Sequence, residues 1–505
     1  MSAGRGTLLL TVLGGLSQLL GFGYRVALSR AVGAEVMGLY QLVMPVYSVL
    51  MSLTAVGLTA AVSNLTSRYL ALGSRRSAEQ TLVFCLRLFF LLLFPVGAVV
   101  IPASDFLSTA LLGDARTQLG LMLLVPCVAL TGVENLHKHA FYGAGRVVAP
   151  AVVELLEQFI RAAAVLGLLW LFLPQYPERV VGLIVTGMVL CEVFSSLTLT
   201  LLHRIRRLPP TGQVTDRRIL RRQVGAIALP MAANALLGNL MGAANTALIP
   251  QLLVAGGLER SEAVARLGVV CGMTAPMLAL PTLFIGPLCL ILVPRLARAD
   301  ALGDRREAAR LTGRAMWITA IAALPTMAWM AVLAPGLGQL LYRRADIGQY
   351  ALPLAAATAL GCFCAILAAA LNATGRQRDV AAVTLLVDGI QLVCTLVLIP
   401  RVGLAGYAVG TVAATGVELV LFGSLARGHI GLRTPPMPRM LAPGLAALLS
   451  ALTGNLLLNV LTDRGLPPAA AIGGAAVFGA VLYGAALMAQ GVEFPRAAKK
   501  RPVGR

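Results

Sequence analysis

Nine ionisable side chains stand inside long apolar runs of this 505-residue chain: Arg25, Arg87, Glu134, Glu154, Glu157, Arg161, Glu192, Asp388 and Glu418. A charge at bilayer depth costs about 2.5–3.5 kcal/mol on insertion scales, so each needs a partner, a cavity or a route to the surface. The densest group is Glu154, Glu157 and Arg161. Glu157 and Arg161 are spaced i, i+4, and Glu154 lies a further turn back, so a helix puts all three on one face. Such a face is either an ion pair buried between helices or a cavity wall that binds polar substrate. Arg25 follows Gly21-Phe22-Gly23-Tyr24 near the outer end of the first run. It either snorkels to headgroups or binds an anion at a cavity mouth. Arg87, two turns into its run, has the same choice toward the opposite surface, and Arg30 falls in the interfacial loop after the first run. Asp388 lies mid-run with Thr384 one turn before it, and Thr411 and Thr415 share a face of the next run. A carboxylate near hydroxyls suits Na⁺ or a carried proton, and a hydrogen-bonded structural aspartate is the other reading.

Other chemistries find less support. No G-x-x-x-x-G-K-[ST] run is present, so ATP does not drive the chain directly. The eight cysteines lie in apolar runs without C-x-x-C spacing and read as small packing residues. His137-Lys138-His139 ends an apolar run. H-x-H points two rings apart on a helix, so the expected role is contact with anionic lipid rather than a metal. No catalytic residue, metal site or cofactor is expected beyond a coupling ion, Na⁺ or H⁺.

The elements that carry these residues follow from composition. The chain is 58% hydrophobic and 12% charged, against about 25% charged in soluble domains. It reads as an all-α polytopic membrane protein. At about 20 apolar residues per span, fourteen segments emerge, from 7–29 to 468–490. The first has the length of a span rather than of a signal-peptide core. The net charge of +20 is concentrated in alternate loops. That is the positive-inside pattern, which explains the charge without nucleic acid and puts both termini in the cytoplasm.

The chain also repeats itself. A shift of 230 positions lays Gly145-Arg146 on Gly375-Arg376 and Pro95 on Pro325. Between Leu124 and Leu168 it gives 13 ungapped identities, where composition alone gives roughly four. The expected organisation is an N-lobe of six spans (1–203), a basic cytoplasmic linker (204–221) and a C-lobe of six spans (222–426). Two added spans (427–490) and a basic tail (491–505) follow. Six spans per half is even, so the halves are parallel repeats about an axis along the membrane normal.

The stretch YGAGRVVAPAVVELLEQFIR (142–161) resembles the stage V sporulation protein B-like branch of the multidrug/oligosaccharidyl-lipid/polysaccharide exporter superfamily. The characters that carry it are the Gly145-Arg146 turn, Pro150, and E-Q-x-x-R at Glu157, Gln158 and Arg161. Residues 19–45, 57–73 and 280–296 resemble other stretches of that branch. The resemblance implies a V-shaped, MATE-like two-lobe helical transporter in a bacterial inner membrane. It implies a lipid-linked saccharide as substrate, lipid II or a related undecaprenyl-pyrophosphate-linked unit. It also gives the two added spans a role as a lipid-tail groove. Arg25, Arg30, Arg87, Glu154, Glu157, Gln158 and Arg161 become candidate headgroup contacts, with Thr384, Asp388, Thr411 and Thr415 as a candidate coupling site. The expected protein is a monomer, not an enzyme. The alternative is a drug/cation antiporter, which calls for an acidic, aromatic cavity; aromatic residues make up 6% of the chain.

Overall fold

The computed structural model describes residues 3–205, 211, 212, 214–432 and 437–491, with side chains from residue 12 onward except 437–441. Arg206 and Arg207 of the expected linker, and the basic tail beyond Gly491, lie outside the described residues. Among those described, every regular element is a helix. The long ones are α1 (Ala3–Met51), α2 (Gly57–Ala71), α3 (Arg75–Val100), α4 (Gln118–Gly143), α5 (Val148–Phe172), α6 (Val180–Ile205) and α7 (Arg217–Ala255). They continue with α8 (Arg260–Leu267), α9 (Ile285–Ala301), α10 (Arg305–Tyr342), α11 (Gly348–Ala373), α12 (Gln377–Val402), α13 (Leu404–Ile430), α14 (Met437–Asp463) and α15 (Pro468–Ala489).

Among the described residues, thirteen helical stretches are long and apolar enough to cross a bilayer. One of them, Val12–Ala71, has 60 residues. At 1.5 Å per residue it is about 90 Å long, roughly three hydrocarbon thicknesses. It breaks at Gly33, whose φ of 79° no helix contains. Counted as two spans, it brings the total to the expected fourteen. The sequence reading put a loop between these two spans; the structure has only the break at Gly33. Two π-helical turns, Ser52–Val56 and Gly268–Thr274, were not anticipated.

The repeat holds at the level of helix ends. α4 begins at Gln118 and ends at Gly143, and α11 begins and ends 230 positions later, at Gly348 and Ala373. α3 and α10 likewise start at Arg75 and Arg305. The Gly-Arg identity has a physical cause. Gly145 (φ 70°) and Gly375 (φ 79°) are left-handed caps. The next amide closes the turn, Arg146 N to Phe141 O at 2.9 Å and Arg376 N to Leu371 O at 2.9 Å. This is the Schellman closure that glycine favours.

A second pair of equivalent turns is visible only in the structure. Asp114 N donates to Ser108 O (2.8 Å), and 230 positions on Arg344 N donates to Gly338 O (3.2 Å). In the first turn the left-handed residue is Gly113; in the second it is Arg343, with φ 58°. Each turn is pinned by an i, i+2 ion pair of reversed polarity. Arg116 Nη2 meets Asp114 Oδ2 at 2.8 Å, and Arg344 Nη2 meets Asp346 Oδ2 at 2.6 Å. Arg116 also reaches Glu35 of α1 at 2.7 Å. Burial pushes the Asp114 carboxyl up, but the hydrogen bonds and charge of Arg116 outweigh it and hold the group below its ordinary value. At Asp346 the Arg344 hydrogen bonds lower it against a smaller burial effect.

The chain forms two compact units. One comprises the chain to Leu280 together with Ala381–Ala414; the other comprises Pro281–Val380 and the chain from Thr415. In the first, small residues let α4, α5 and α6 approach closely. A Cβ on Gly187 of α6 would come within 2.5 Å of Val165 on α5. In the second, α14 and α15 pack on α10. Trp329 donates to Ser450 Oγ at 2.7 Å, Tyr483 donates to Ile321 O at 3.0 Å, and the indole of Trp329 lies directly over Gly479.

Candidate functional site

The close packing of α4, α5 and α6 brings four of the in-span ionisable residues into one network. Arg161 on α5 ion-pairs with Glu157, one turn earlier on the same helix. Its Nη2 also lies 3.3 Å from Glu192 Oε1 on α6, and its Nε donates to Cys191 Sγ at 3.4 Å. One turn beyond Glu192, Ser195 donates to Glu134 Oε2 of α4 at 3.0 Å. The second oxygen of Glu192, Oε2, is buried without a hydrogen-bond partner among the described residues. Glu134, Cys191, Glu192 and Ser195 are at most 3% exposed, and Glu157 is 5% exposed. Arg161 keeps 23% of its side chain accessible and is the network's contact with its surroundings.

The network has a net charge to settle. It sets three carboxyls, Glu134, Glu157 and Glu192, around one guanidinium. In a low-dielectric site such an excess calls for a cation or a proton. The donor atoms of Glu157, Cys191 and Glu192 lie within 4.8 Å of one another, the spacing of a metal cluster. Arg161 bonds to all three residues, so the guanidinium fills the role a metal would have.

The sequence-expected residues fall in several places. Glu157 and Arg161 belong to the network. Glu154 does not: its Oε2 lies 2.8 Å from Lys138 Nζ of α4, and its carbonyl accepts from Ser17 Oγ of α1 at 3.4 Å. Gln158 turns toward Gly21 of α1, where a Cβ would meet its Oε1 at 3.4 Å. Arg25 and Arg30 are exposed. Arg87 is exposed and lines a cavity between α3 and α7. Asp388 faces Gly238 of α7, while Thr411 accepts from Gln391 Nε2 at 3.3 Å and donates to Tyr407 O at 2.8 Å. Thr384 is exposed, and the Thr415 carbonyl accepts from Cys364 Sγ at 3.8 Å.

One reading is corrected. Lys138 was expected at anionic lipid, but it is engaged by Glu154 and its side chain is 17% exposed. His137 is buried, with its ring 5.5 Å from that of His203. The packing of α5 and α6 against the end of α4 takes up Lys138 and His137. The cysteine reading also needs an addition, because Cys191 accepts a hydrogen bond from Arg161 besides packing.

Glu134, Glu192, Cys191 and Ser195 were not singled out as site residues. Glu134 and Glu192 were visible as in-span carboxyls, and the E-x-x-S spacing of Glu192 and Ser195 puts both on one helical face. What no spacing within one helix conveys is that α4 and α6 turn those faces toward Arg161.

Comparisons with known proteins agree with this architecture. Residues 3–299 match the family described as polysaccharide biosynthesis protein, and residues 274–464 match the family described as lipid II flippase MurJ. Stage V sporulation protein B of Bacillus subtilis (strain 168) is 24% identical over 298 residues, which span 58% of this chain and 58% of that protein. A solved structure of lipid II flippase MurJ in an inward closed conformation superposes with a TM-score of 0.70 at 12% identity, covering 96% of this chain and 98% of that one. An inward-facing multidrug resistance MATE family transporter of the MOP superfamily gives 0.68 at 16% identity, over 83% and 94%. At those identities the likeness is one of fold.

Proposed function

Because the chain belongs to the polysaccharide biosynthesis protein family, we propose that it moves a lipid-linked saccharide across the bacterial inner membrane by alternating access. The observation that carries this reading is family membership across more than half the chain, with the MurJ family match over much of the remainder. The ion network adds a physical element, since intramembrane ionisable residues mark transport pathways by default. In this reading the headgroup is bound in the polar interior while the polyprenyl tail stays in lipid. The two six-span halves rock about their common axis, and α14 and α15 border the tail. The termini are cytoplasmic. Arg161 senses the headgroup or the coupling ion through its accessible edge, and Na⁺ or H⁺ offsets the carboxylate excess.

The test is transport of fluorescent lipid II, and of other undecaprenyl-pyrophosphate-linked saccharides, in proteoliposomes of purified protein. Movement under an imposed potential, lost in Arg161→Ala, is the expected result. No movement of any such lipid by wild type overturns the proposal. One observation favours a second reading, drug/cation antiport: the negative excess of the network suits a cationic solute. Cation efflux from the same proteoliposomes, without saccharide transport, would establish that reading instead.

A further inference from the structure

A cavity of about 480 Å³ opens between α3, from Arg76 to Leu91, and the first turn of α7. Four guanidinium-bearing residues line it: Arg76 and Arg87 from α3, Arg217 and Arg221 from α7. All four are exposed, and none has an ion-pair partner among the described residues. The one carboxylate in the lining, Glu79, is turned to His203, 3.4 Å away. The wall continues along α3 as an apolar shelf of Phe84, Leu88 and Leu91, and Leu91 is 70% exposed.

The starts of α3 and α7 beside the cavity are tied together. Thr215 bonds Ser77 through both its amide (3.1 Å) and its hydroxyl (2.8 Å), and Gln80 donates to Thr215 O at 3.1 Å. The helix starts that carry Arg76, Arg217 and Arg221 are therefore anchored directly to one another, and Arg87 stands about three turns deeper on α3. Arg87 lies about 18 Å along α3 from its first residue, Arg75, so its charge stands well below the headgroup level. Arg76, Arg217 and Arg221 stand at the helix starts above it, so the cavity gathers four like charges that call for a counter-anion. Guanidinium groups pair with phosphate oxygens in a bidentate fork. An exposed apolar shelf leading away from the charges suits an acyl chain. The volume is at the small end of ligand pockets. It suits a glycerol phosphate headgroup better than one carrying a saccharide.

We propose that this cavity between α3 and α7 is a binding site for an anionic glycerophospholipid, distinct from the transport pathway. Arg76, Arg87, Arg217 and Arg221 hold the headgroup phosphate, and one acyl chain lies along Phe84, Leu88 and Leu91. Basic pockets between transmembrane helices on the cytoplasmic side are a known form of such recognition. The proposal rests on the membrane-spanning fold and not on the transport reading, so it stands or falls separately.

The test is native mass spectrometry of the full chain, delipidated in detergent and titrated with four probes: phosphatidylglycerol, phosphatidylcholine, undecaprenyl pyrophosphate and inorganic pyrophosphate. Phosphatidylglycerol should bind at least ten-fold more tightly than phosphatidylcholine. Arg87→Gln with Arg221→Gln should abolish that preference, and Arg87→Lys with Arg221→Lys should retain most of it. Arg401→Gln, which removes an exposed arginine outside the cavity, should leave it unchanged. Should the glutamine variant not fold, a ten-fold or greater loss of phosphatidylglycerol binding between 50 and 500 mM salt replaces it as the criterion, roughly as expected for several screened ion pairs. Equal binding of the two phospholipids, or a preference unchanged in the folded glutamine variant, overturns the proposal. Tighter binding of undecaprenyl pyrophosphate than of phosphatidylglycerol assigns the site to the substrate and also overturns it. Full competition by inorganic pyrophosphate overturns the part played by the shelf.

Discussion

At the residue scale, the behaviour of Arg161 is set by what surrounds it. Its guanidinium reaches two carboxylates and a thiol on two helices. Removing one member of a buried charge group leaves the others uncompensated, typically at a cost of 3–5 kcal/mol. Arg161→Ala is therefore expected to lower the thermal midpoint in detergent and to abolish transport together. Those two effects can be separated. Arg161→Met combined with Glu157→Gln and Glu192→Gln removes the charges as a set, so stability should recover to within about 1–2 kcal/mol of wild type. Transport should not recover. A triple variant that transports normally would mean the network serves the fold alone. The i, i+4 spacing of Glu157 and Arg161 was legible in the sequence because it lies within one helix. The pairing of Arg161 with Glu192, and of Lys138 with Glu154, was not, because it depends on the rotation of neighbouring helices about their axes.

At the element scale, the duplicated turns carry information that identity counts miss. Gly113-Asp114-Ala115-Arg116 and Arg343-Arg344-Ala345-Asp346 share only the alanine, yet both close through the same backbone bond and the same salt bridge. Exchanging the charges preserves the pair, so Arg344→Asp with Asp346→Arg should recover most of the loss caused by either change alone. Each single loss is expected to be at most about 1 kcal/mol, because the pair is partly exposed; a double-mutant cycle of thermal midpoints measures it. Both aspartates titrate below their ordinary values. Their contribution is thus present above the unfolded carboxylate pKa and is lost as pH falls through the lower folded value. Below about pH 4, wild type should lose stability faster than Asp114→Asn, and a parallel acid profile for the two would refute that. The left-handed Arg343 gives a further expectation. A non-glycine residue there costs about 1–2 kcal/mol, partly offset by the chain entropy glycine would lose. Arg343→Gly, which puts at this position the glycine that the equivalent Gly113 already supplies, should raise the thermal midpoint in detergent. The sequence showed the helices and the Gly145 and Gly375 caps plainly. It concealed these turns, because a swapped ion pair and a glycine replaced by arginine count as mismatches.

At the scale of the whole molecule, the same offset bears on sidedness. Leu72 and Leu302 are 230 positions apart, stand in equivalent turns before α3 and α10, and are 71% and 72% exposed. If the halves are parallel repeats, both turns face the cytoplasm, as the arginines around them suggest through the positive-inside rule. Single cysteines at Leu72 and Leu302 should then resist a membrane-impermeant maleimide in intact cells and react after permeabilisation. Cysteines at Glu178 and Leu466, in loops assigned to the outside, should react without permeabilisation. The native thiols interfere little, since each is buried or half-buried. Labelling of only one of the two equivalent leucine positions from outside would mean an inverted repeat. If Leu72 were the labelled position, the α3–α7 cavity would move to the outer face, because it opens at the end of α3 that follows Leu72; if Leu302 were, the cavity would stay cytoplasmic and only the second half would be turned over.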